Sequence, residues 1–152
     1  MEKLFKKALK FVLSLEGCYV NHPLDKGGAT NKGITQKTYN KWLKANCLKS
    51  KDIKNITDKE VEAIYYQYYW LEANCHNMTD KFAVLCFDSA VNHGVGRVRK
   101  FLKAAEYKYP DKFLEARKNF YLKIIENNPS QKVFLKGWMN RLKKLKKFIE
   151  II

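Results

Sequence analysis

The sequence predicts a mainly α fold with a short irregular or β-hairpin segment near residues 17–34. Apolar residues recur at helical spacing along most of the chain, and candidate caps separate the helical stretches. Four of the seven glycines lie between residues 17 and 34, which indicates a turn-rich segment there. At 152 residues, the chain is long enough for one compact domain or for two small lobes.

Candidate caps place the individual helices. The first is amphipathic up to Glu16, and Gly17 follows it as a candidate C-cap. Thr57 and Glu60 have the spacing of a capping box, and Pro110 suits the first turn of a helix. Two further N-caps are expected, at Thr35 and at Thr79 or Asp80. The predicted helices cover residues 2–16, 36–46, 58–73, 80–93, 97–106 and 110–126, with a last one from 129 or 130 onward.

The chain is strongly basic. Thirty Lys and Arg residues against fifteen Asp and Glu residues give a formal net charge of +15. The surplus lies in residues 1–50 and 101–152, whereas residues 51–100 are balanced. Such a surplus implies a polyanionic partner, either nucleic acid, an anionic membrane or an anionic cell wall. A lysine-rich solvated surface explains the composition equally well, so charge alone names no ligand.

Cysteine and histidine spacing gives no sign of a metal site. The cysteines form no C-x-x-C pair, and the three histidines do not complete any zinc-binding spacing. We therefore expect no metal and no cofactor. Reduced thiols are the default for a protein made in the cytoplasm, while a disulfide stays open. The cysteines concerned are Cys18, Cys47, Cys75 and Cys86.

No targeting or membrane-spanning segment is expected. Lys10 interrupts the apolar stretch before Phe11, which leaves too short a hydrophobic region for a signal peptide. No segment approaches the roughly 20 apolar residues that a membrane span needs. We expect synthesis in the cytoplasm, no stable membrane insertion, and another export route for any work outside.

Glu16 and Asp25 are the candidate catalytic pair, because glycosidic bond hydrolysis requires two carboxyl groups in contrasting surroundings. Glu16 falls on the apolar face of the first helix, where burial raises a carboxyl pKa toward the range of a general acid. Asp25 lies in a polar, glycine-rich loop that keeps a carboxylate ionised. It could activate water or stabilise an oxocarbenium-like charge, with Thr30 holding the attacking water.

Each of these three residues has an ordinary alternative. Glu16 could be a partly exposed glutamate at a helix end, Asp25 a turn-forming aspartate, and Thr30 a strand or turn threonine. The loop's glycines allow the backbone to approach a sugar closely, but the loop lacks the ending of a phosphate-binding motif. Those glycines are Gly27, Gly28 and Gly33.

Further polar and aromatic residues are candidates for substrate binding. Asp88 and Asn92 lie four residues apart on one helix, where they form either a polar wall of a cleft or a buried network between helices. Trp138 could stack on a sugar ring, although aromatic residues at helical spacing more often belong to the core. The remaining candidates flank the carboxyl pair and are Tyr19, Asn21 and Thr35.

Three blocks of sequence resemble a known family. The run E-G-C-Y-V-N-H-P-L-D-K-G-G-A-T-N-K-G-I-T (16–35) resembles the N-terminal signature of glycoside hydrolase family 108. These N-acetylmuramidases occur among phage endolysins and secretion activator proteins. The run F-D-S-A-V-N-H-G (87–94) is similar to the second block of the family. The run F-L-K-G-W-M-N-R (134–141) resembles the end of the predicted peptidoglycan-binding region that usually follows.

The resemblance implies a lysozyme-like helical fold and cleavage of the β-1,4 bond between N-acetylmuramic acid and N-acetylglucosamine. The family's catalytic glutamate, in its E-G-G-Y motif, corresponds to Glu16, and Cys18 replaces the second glycine. The spacing of Glu16, Asp25 and Thr30 is also similar to the Glu–Asp–Thr triad of phage lysozymes. By this resemblance, residues 1–78 are a muramidase lobe and residues 79–152 a helical wall-binding lobe, packed as one unit.

Peptidoglycan and anionic wall polymers are therefore the expected partners of a monomeric enzyme, with no nucleic acid. The resemblance places its action in the periplasm or cell wall, after holin-dependent or other non-classical export, in phage lysis or secretion-coupled wall remodelling. Two other classes stay open. One is a catalytically inactive wall-binding secretion adaptor, and the other is a small basic nucleic-acid-binding helical protein, which charge alone supports.

Overall fold

The computed structural model describes residues 2–21 and 29–152, and it confirms the mainly α fold class. Two short antiparallel strands, β1 (Thr30–Asn31) and β2 (Ile34–Thr35), form the hairpin that the glycine-rich segment predicts. Short 3-10 turns lie at Ile53–Asn55, Cys75–Asn77 and Pro129–Phe134. The α-helices are α1 (Glu2–Leu13), α2 (Gln36–Ala45), α3 (Asp58–Tyr65), α4 (Asp80–His93), α5 (Val95–Ala104), α6 (Pro110–Asn127) and α7 (Leu135–Glu150).

Helix α1 ends three residues before the predicted boundary at Glu16. The chain tightens there, since the Leu15 and Glu16 amides donate to the carbonyls three residues back at 2.9 and 3.3 Å. The Ser14 hydroxyl donates to the Phe11 carbonyl at 2.6 Å, and this local bond competes with continuation of the helix. Glu16 therefore lies in a turn after α1 rather than on its apolar face.

The predicted caps are mostly confirmed. The Thr35 hydroxyl accepts from the Thr38 amide at 3.2 Å at the start of α2. Thr57 and Glu60 form the complete capping box of α3, with bonds of 3.2 and 2.9 Å. Thr79 occupies the N-cap position of α4 without a side-chain cap bond. Helix α3 continues into a π-helical segment, Tyr66–Leu71, where the sequence predicted an uninterrupted helix to residue 73.

The chain divides into two compact units, Met1–Tyr68 and Tyr69–Ile152. In the first, α1, the hairpin, α2 and α3 bury Val12, Ile34 and Ile64. In the second, α4 is the central helix, and every residue of 82–90 is buried against the surrounding helices. The predicted lobes, 1–78 and 79–152, meet after residue 78, whereas the two units meet after residue 68. The role assigned to each lobe stays a prediction.

Three properties of the described residues bear on function. All four cysteine thiols are free, with Cys18 and Cys47 exposed and Cys75 and Cys86 buried. Across residues 2–21 and 29–152, no helix has the length and apolar character of a membrane span. Within the same ranges, no three His, Cys, Asp or Glu side chains come together as a metal site would require.

Candidate active site

A tight hairpin turn forms the centre of the candidate site. Thr30 pairs with Thr35 and Asn31 with Ile34, which leaves Lys32 and Gly33 as a two-residue loop. Both loop residues have positive φ, 50° and 77°, the pattern of the type I′ turn that suits the twist of an antiparallel pair.

The segment that follows Glu16 is attached to this hairpin. Val20 and Thr30 exchange two backbone hydrogen bonds of 2.8 and 2.7 Å, so the chain after α1 lies alongside β1. The Asn31 side chain donates to the Ile53 carbonyl at 3.2 Å and holds the 3-10 turn Ile53–Asn55 on the other flank. Backbone pairing therefore fixes the hairpin relative to both segments.

Gly33 lies against the carboxyl group of Glu16 and the hydroxyl group of Tyr65. A Cβ atom added at Gly33 would lie 3.1 Å from both Cγ and Oε2 of Glu16 and in hard overlap with the Tyr65 hydroxyl. Tyr65 is fully buried, and its hydroxyl donates to the Lys32 carbonyl at 2.8 Å. The sequence predicted that the Gly33 backbone approaches a sugar closely. In the structure, Gly33 lies close to Glu16, the candidate acid, which is half-buried at this turn.

Two other carboxyl groups of this unit, those of Glu60 and Asp58, are held as anions by their partners. Glu60 accepts from Tyr39 at 2.9 Å and from Lys51 at 2.8 Å, in addition to its bonds to Thr57. Burial alone would raise the pKa of Glu60, but these hydrogen bonds lower it to about 2. Hydrogen bonding to Lys32 lowers the pKa of Asp58. A carboxyl group held as an anion cannot donate a proton, so Glu60 and Asp58 are excluded from that role.

The flanking candidates are found in different settings. Tyr19 is partly exposed, with the Lys54 ammonium 5.9 Å from its ring centroid. Asn21 is exposed, and Thr30 is half-buried in β1. Thr35 uses its hydroxyl to cap α2, so its side chain has a structural role at the end of β2. Tyr19 lies three residues after Glu16, and Thr30 pairs with the adjacent residue Val20 through backbone hydrogen bonds.

Asp25 lies outside the described residues, as do Gly27 and Gly28. The predicted role of Asp25 opposite Glu16 stays a prediction, and so does the role of these two glycines in sugar approach.

Asp88, in the second unit, is fully buried between two arginines. Arg117 donates to Oδ2 at 2.7 Å, and Arg141 donates to Oδ1 through two nitrogens at 2.9 and 3.1 Å. Burial alone would raise the pKa of Asp88, but the two guanidinium groups outweigh it and hold the pKa below its ordinary value. Asp88 therefore links α4 to α6 and α7 through these two arginines. This arrangement is the buried network between helices that the sequence analysis gave as the alternative to a cleft wall.

Asn92 extends this network toward aromatic residues. Its carbonyl oxygen accepts from the Tyr121 hydroxyl at 2.6 Å, and Tyr121 stacks on Trp138 with ring centroids 4.8 Å apart. Trp138 is half-buried, so part of its surface stays open to solvent. Of the second-unit candidates, Asp88 is closed to any ligand, whereas Asn92 and Trp138 are partly accessible.

The sequence did not single out Tyr65, Arg117 or Arg141 for the site. A signal for the arginines is present, since only four of the thirty basic residues are arginine. Arginine is preferred over lysine for buried ion pairs because its planar guanidinium group donates several hydrogen bonds in fixed directions. No comparable signal identifies Tyr65, because its bond to the Lys32 carbonyl depends on the path of the hairpin.

His93 lies in an aromatic cluster at the end of α4. Its ring is 5.7, 5.2 and 5.0 Å, between centroids, from the rings of Phe101, Phe120 and Tyr121. Its Nε2 atom is buried, and no described residue bonds to it. Burial and then the nearby Arg117 charge lower the pKa of His93 to about 3. His93 is therefore a neutral packing residue at neutral pH and not a catalytic base.

Comparison with known families identifies the class of protein. The profile described as Glycosyl hydrolase 108 matches residues 9–94, and the profile described as Predicted Peptidoglycan domain matches residues 97–143. Because the first match covers more than half of the chain, the protein belongs to the glycosyl hydrolase 108 family. Membership supports a glycoside hydrolase at the family level, a role in peptidoglycan hydrolysis or binding, and peptidoglycan as a partner.

A solved structure shares the fold. The structure of Brucella abortus SagA is 24% identical in sequence and covers 99% of this chain and 96% of its own, with a TM-score of 0.76. The similarity supports the lysozyme-like helical fold that the sequence resemblance implies. Among functionally curated proteins, none matches this chain significantly.

We predict that Gly33→Ala impairs both stability and wall hydrolysis. The added Cβ would overlap the Tyr65 hydroxyl and press on Glu16, and the positive φ alone costs about 1–2 kcal/mol for other residues. Gly137→Ala is the matched control, because Gly137 lies in α7 with open space around its Cβ position. Thermal unfolding and release of wall fragments measure the two effects. Wild-type activity in a folded Gly33→Ala protein would contradict the described contact.

We predict that His93 makes the protein lose stability as the pH falls below neutral. The unfolded chain binds a proton near pH 6.5 while the folded chain resists it to about pH 3, so stability drops as pH falls through this window. Between pH 7 and pH 5 the loss should be about 1–2 kcal/mol. Chemical denaturation at both pH values should show a smaller loss in His93→Phe. His76→Gln, which changes an exposed histidine of the same unit, should behave like wild type.

Proposed function

We propose that this protein is an N-acetylmuramidase that cleaves the β-1,4 bond between N-acetylmuramic acid and N-acetylglucosamine. The observation that carries the proposal is the half-buried carboxyl group of Glu16 held against the hairpin turn at Gly33. Membership of the glycosyl hydrolase 108 family supports the class of reaction. The proposal adds the bond that is cleaved and the residue that donates the proton.

In the proposed mechanism, Glu16 in its protonated form donates to the leaving glycosidic oxygen. A proton donor must hold one geometry while the bond breaks, because small displacements cost much of the rate. The turn supports this requirement, since the Glu16 side chain lies against Gly33, where there is no room even for a Cβ atom. Its partial exposure leaves another side for substrate.

Asp25 and Thr30 are proposed for the opposite face of the sugar. Asp25 would stabilise the positive charge that develops on the sugar ring or would deprotonate the attacking water, with the Thr30 hydroxyl orienting that water. A carboxyl separation of roughly 6.5–9.5 Å goes with inversion of the anomeric centre, and about 5–5.5 Å with retention. The anomeric form of the first product distinguishes these two mechanisms.

The basic surface is proposed to concentrate the enzyme on the wall. A net charge of +15 attracts anionic wall polymers over a range set by the ionic strength. Partly accessible aromatic residues, Tyr19 and Trp138, are proposed to contact sugar rings. We propose that the enzyme acts in the periplasm or cell wall after non-classical export, in phage lysis or secretion-coupled remodelling.

The first test compares wild type with Glu16→Gln on purified peptidoglycan. Loss of the proton donor should lower the rate of formation of new reducing ends by about 10²- to 10⁴-fold, because this is the usual contribution of general acid catalysis. Glu62→Gln is the control, since Glu62 is a partly exposed carboxyl group of the same unit that pairs with Lys6 at 3.7 Å. It should retain wild-type activity.

The products of the same digestion separate the possible reactions. After borohydride reduction, a muramidase leaves muramitol at the fragment ends, whereas a glucosaminidase leaves glucosaminitol and an amidase leaves neither. Equal activity of Glu16→Gln and wild type would exclude the proposed mechanism. Wall binding without any bond cleavage by the wild type would favour the inactive adaptor. Full activity of Asp25→Asn would remove Asp25 from the proposed pair.

A further inference from the structure

A groove in the second unit has no role in the proposed reaction. It is a cavity of about 440 Å³ between the turn at residues 72–78 and one face of α5. A smaller cavity of about 240 Å³ shares three of its lining residues. We call this feature the α5 groove. The residues that define it are Glu72, Met78, Val98, Arg99, Leu102 and Tyr107.

The α5 groove combines an apolar floor with two opposite charges. Val98 and Leu102 are buried beneath it, at 2% and 6% exposure. Glu72 and Arg99 are exposed at its edge, and neither side chain forms a hydrogen bond or ion pair with any residue of the described ranges. An unpaired cation and an unpaired anion beside an apolar surface suit a ligand that carries both charges.

Arg99 is distinctive among the four arginines. Arg117 and Arg141 pair with Asp88, and the Arg97 guanidinium lies 4.3 Å from the centroid of the Phe120 ring. Among the described residues, Arg99 is the one arginine whose side chain has no such partner. In a chain that otherwise relies on lysine, arginine at an open groove fits bidentate binding of a carboxylate.

Tyr107 forms one side of the groove from an unusual backbone position. Helix α5 ends in a Schellman motif, in which the Tyr107 amide donates to the Leu102 carbonyl and the Glu106 amide to the Lys103 carbonyl, both at 3.0 Å. Glu106 and Tyr107 both have positive φ, 53° and 54°, although neither is glycine. The motif leaves the Tyr107 ring 66% exposed at the groove, where it can cover an apolar ligand.

We propose that the α5 groove binds the peptide stem of peptidoglycan, a short peptide that carries both carboxylates and an amine. Arg99 would bind a carboxylate, Glu72 the amine, and the apolar floor with Tyr107 the alanine methyl groups. An uncharged glycan strand would leave both charges unpaired. Residues 98–107 also lie within the match to the peptidoglycan domain. This inference rests on the proposed function, because it assumes that the wall is the substrate.

Binding through the α5 groove would make attachment to the wall bivalent. A glycan strand held by one site and its peptide held by another dissociates more slowly than either contact alone. The groove would therefore strengthen binding to wall that carries free, uncross-linked peptide stems more than binding to glycan stripped of peptides. Activity on these two substrates should respond differently to changes in the groove.

The test titrates the full-length ¹⁵N-labelled protein with N-acetyl-L-Ala-γ-D-Glu-L-Lys-D-Ala by NMR. We expect amide shifts at the α5 groove and a dissociation constant in the millimolar range. Arg99→Gln and Glu72→Gln should each weaken binding by about fivefold, because each removes one charged contact. Lys100→Gln is the control, since it removes the same charge from the neighbouring exposed position, and it should leave binding unchanged.

Modified peptides assign each charge to its partner. Once the carboxylates are amidated, Arg99→Gln should cause no further loss, and once the lysine amine is acetylated, Glu72→Gln should cause none. Shifts at the groove with chitotetraose instead of the peptide, or equal effects of Arg99→Gln and Lys100→Gln, would overturn the proposal. The test needs no cleavage, so peptide binding by a protein without muramidase activity would retain this inference and reject the proposed function.

Discussion

The absence of a side chain at Gly33 is the constraint on which the candidate active site depends. The turn of the β1–β2 hairpin passes so close to Glu16 and Tyr65 that any larger residue would displace one of them. The positive φ of both turn residues lets two short strands form a hairpin, and Val20 joins it through backbone bonds. Backbone geometry thus positions a carboxyl group that follows a helix end and would otherwise sample many conformations.

The carboxyl groups of Asp88 and Glu60 have different surroundings from that of Glu16. Asp88 is buried between Arg117 and Arg141, and its charge is needed there because the fully buried Arg117 would otherwise lack a counter-charge. Glu60 likewise has a pKa held low by its partners. Both carboxylates hold helices together and cannot exchange protons near neutral pH. Glu16 lies instead against Gly33 at the hairpin turn.

The sequence predicted local features well and long-range ones poorly. The capping box at Thr57, the hairpin and the start of α6 at Pro110 follow from short-range chemistry. The predicted end of α1 at Glu16 was three residues too late. The Ser14 hydroxyl and the tightened amide bonds end the helix earlier, and hydrophobic spacing does not reveal such bonds. The close contact between Gly33 and Tyr65 could not be predicted either. Tyr65 lies 32 residues further along the chain, and only the folded structure brings the two residues together.

The role of Glu16 as proton donor is tested most directly by changing how much the leaving group needs a proton. The dinitrophenyl glycoside of a glycan that ends in muramic acid releases a phenolate that departs without protonation, unlike the sugar hydroxyl of peptidoglycan. We expect Glu16→Gln to hydrolyse the dinitrophenyl substrate within about tenfold of the wild-type rate, while its loss on peptidoglycan is about a hundredfold or more. Equal losses on the two substrates would contradict the assignment of Glu16 as the acid.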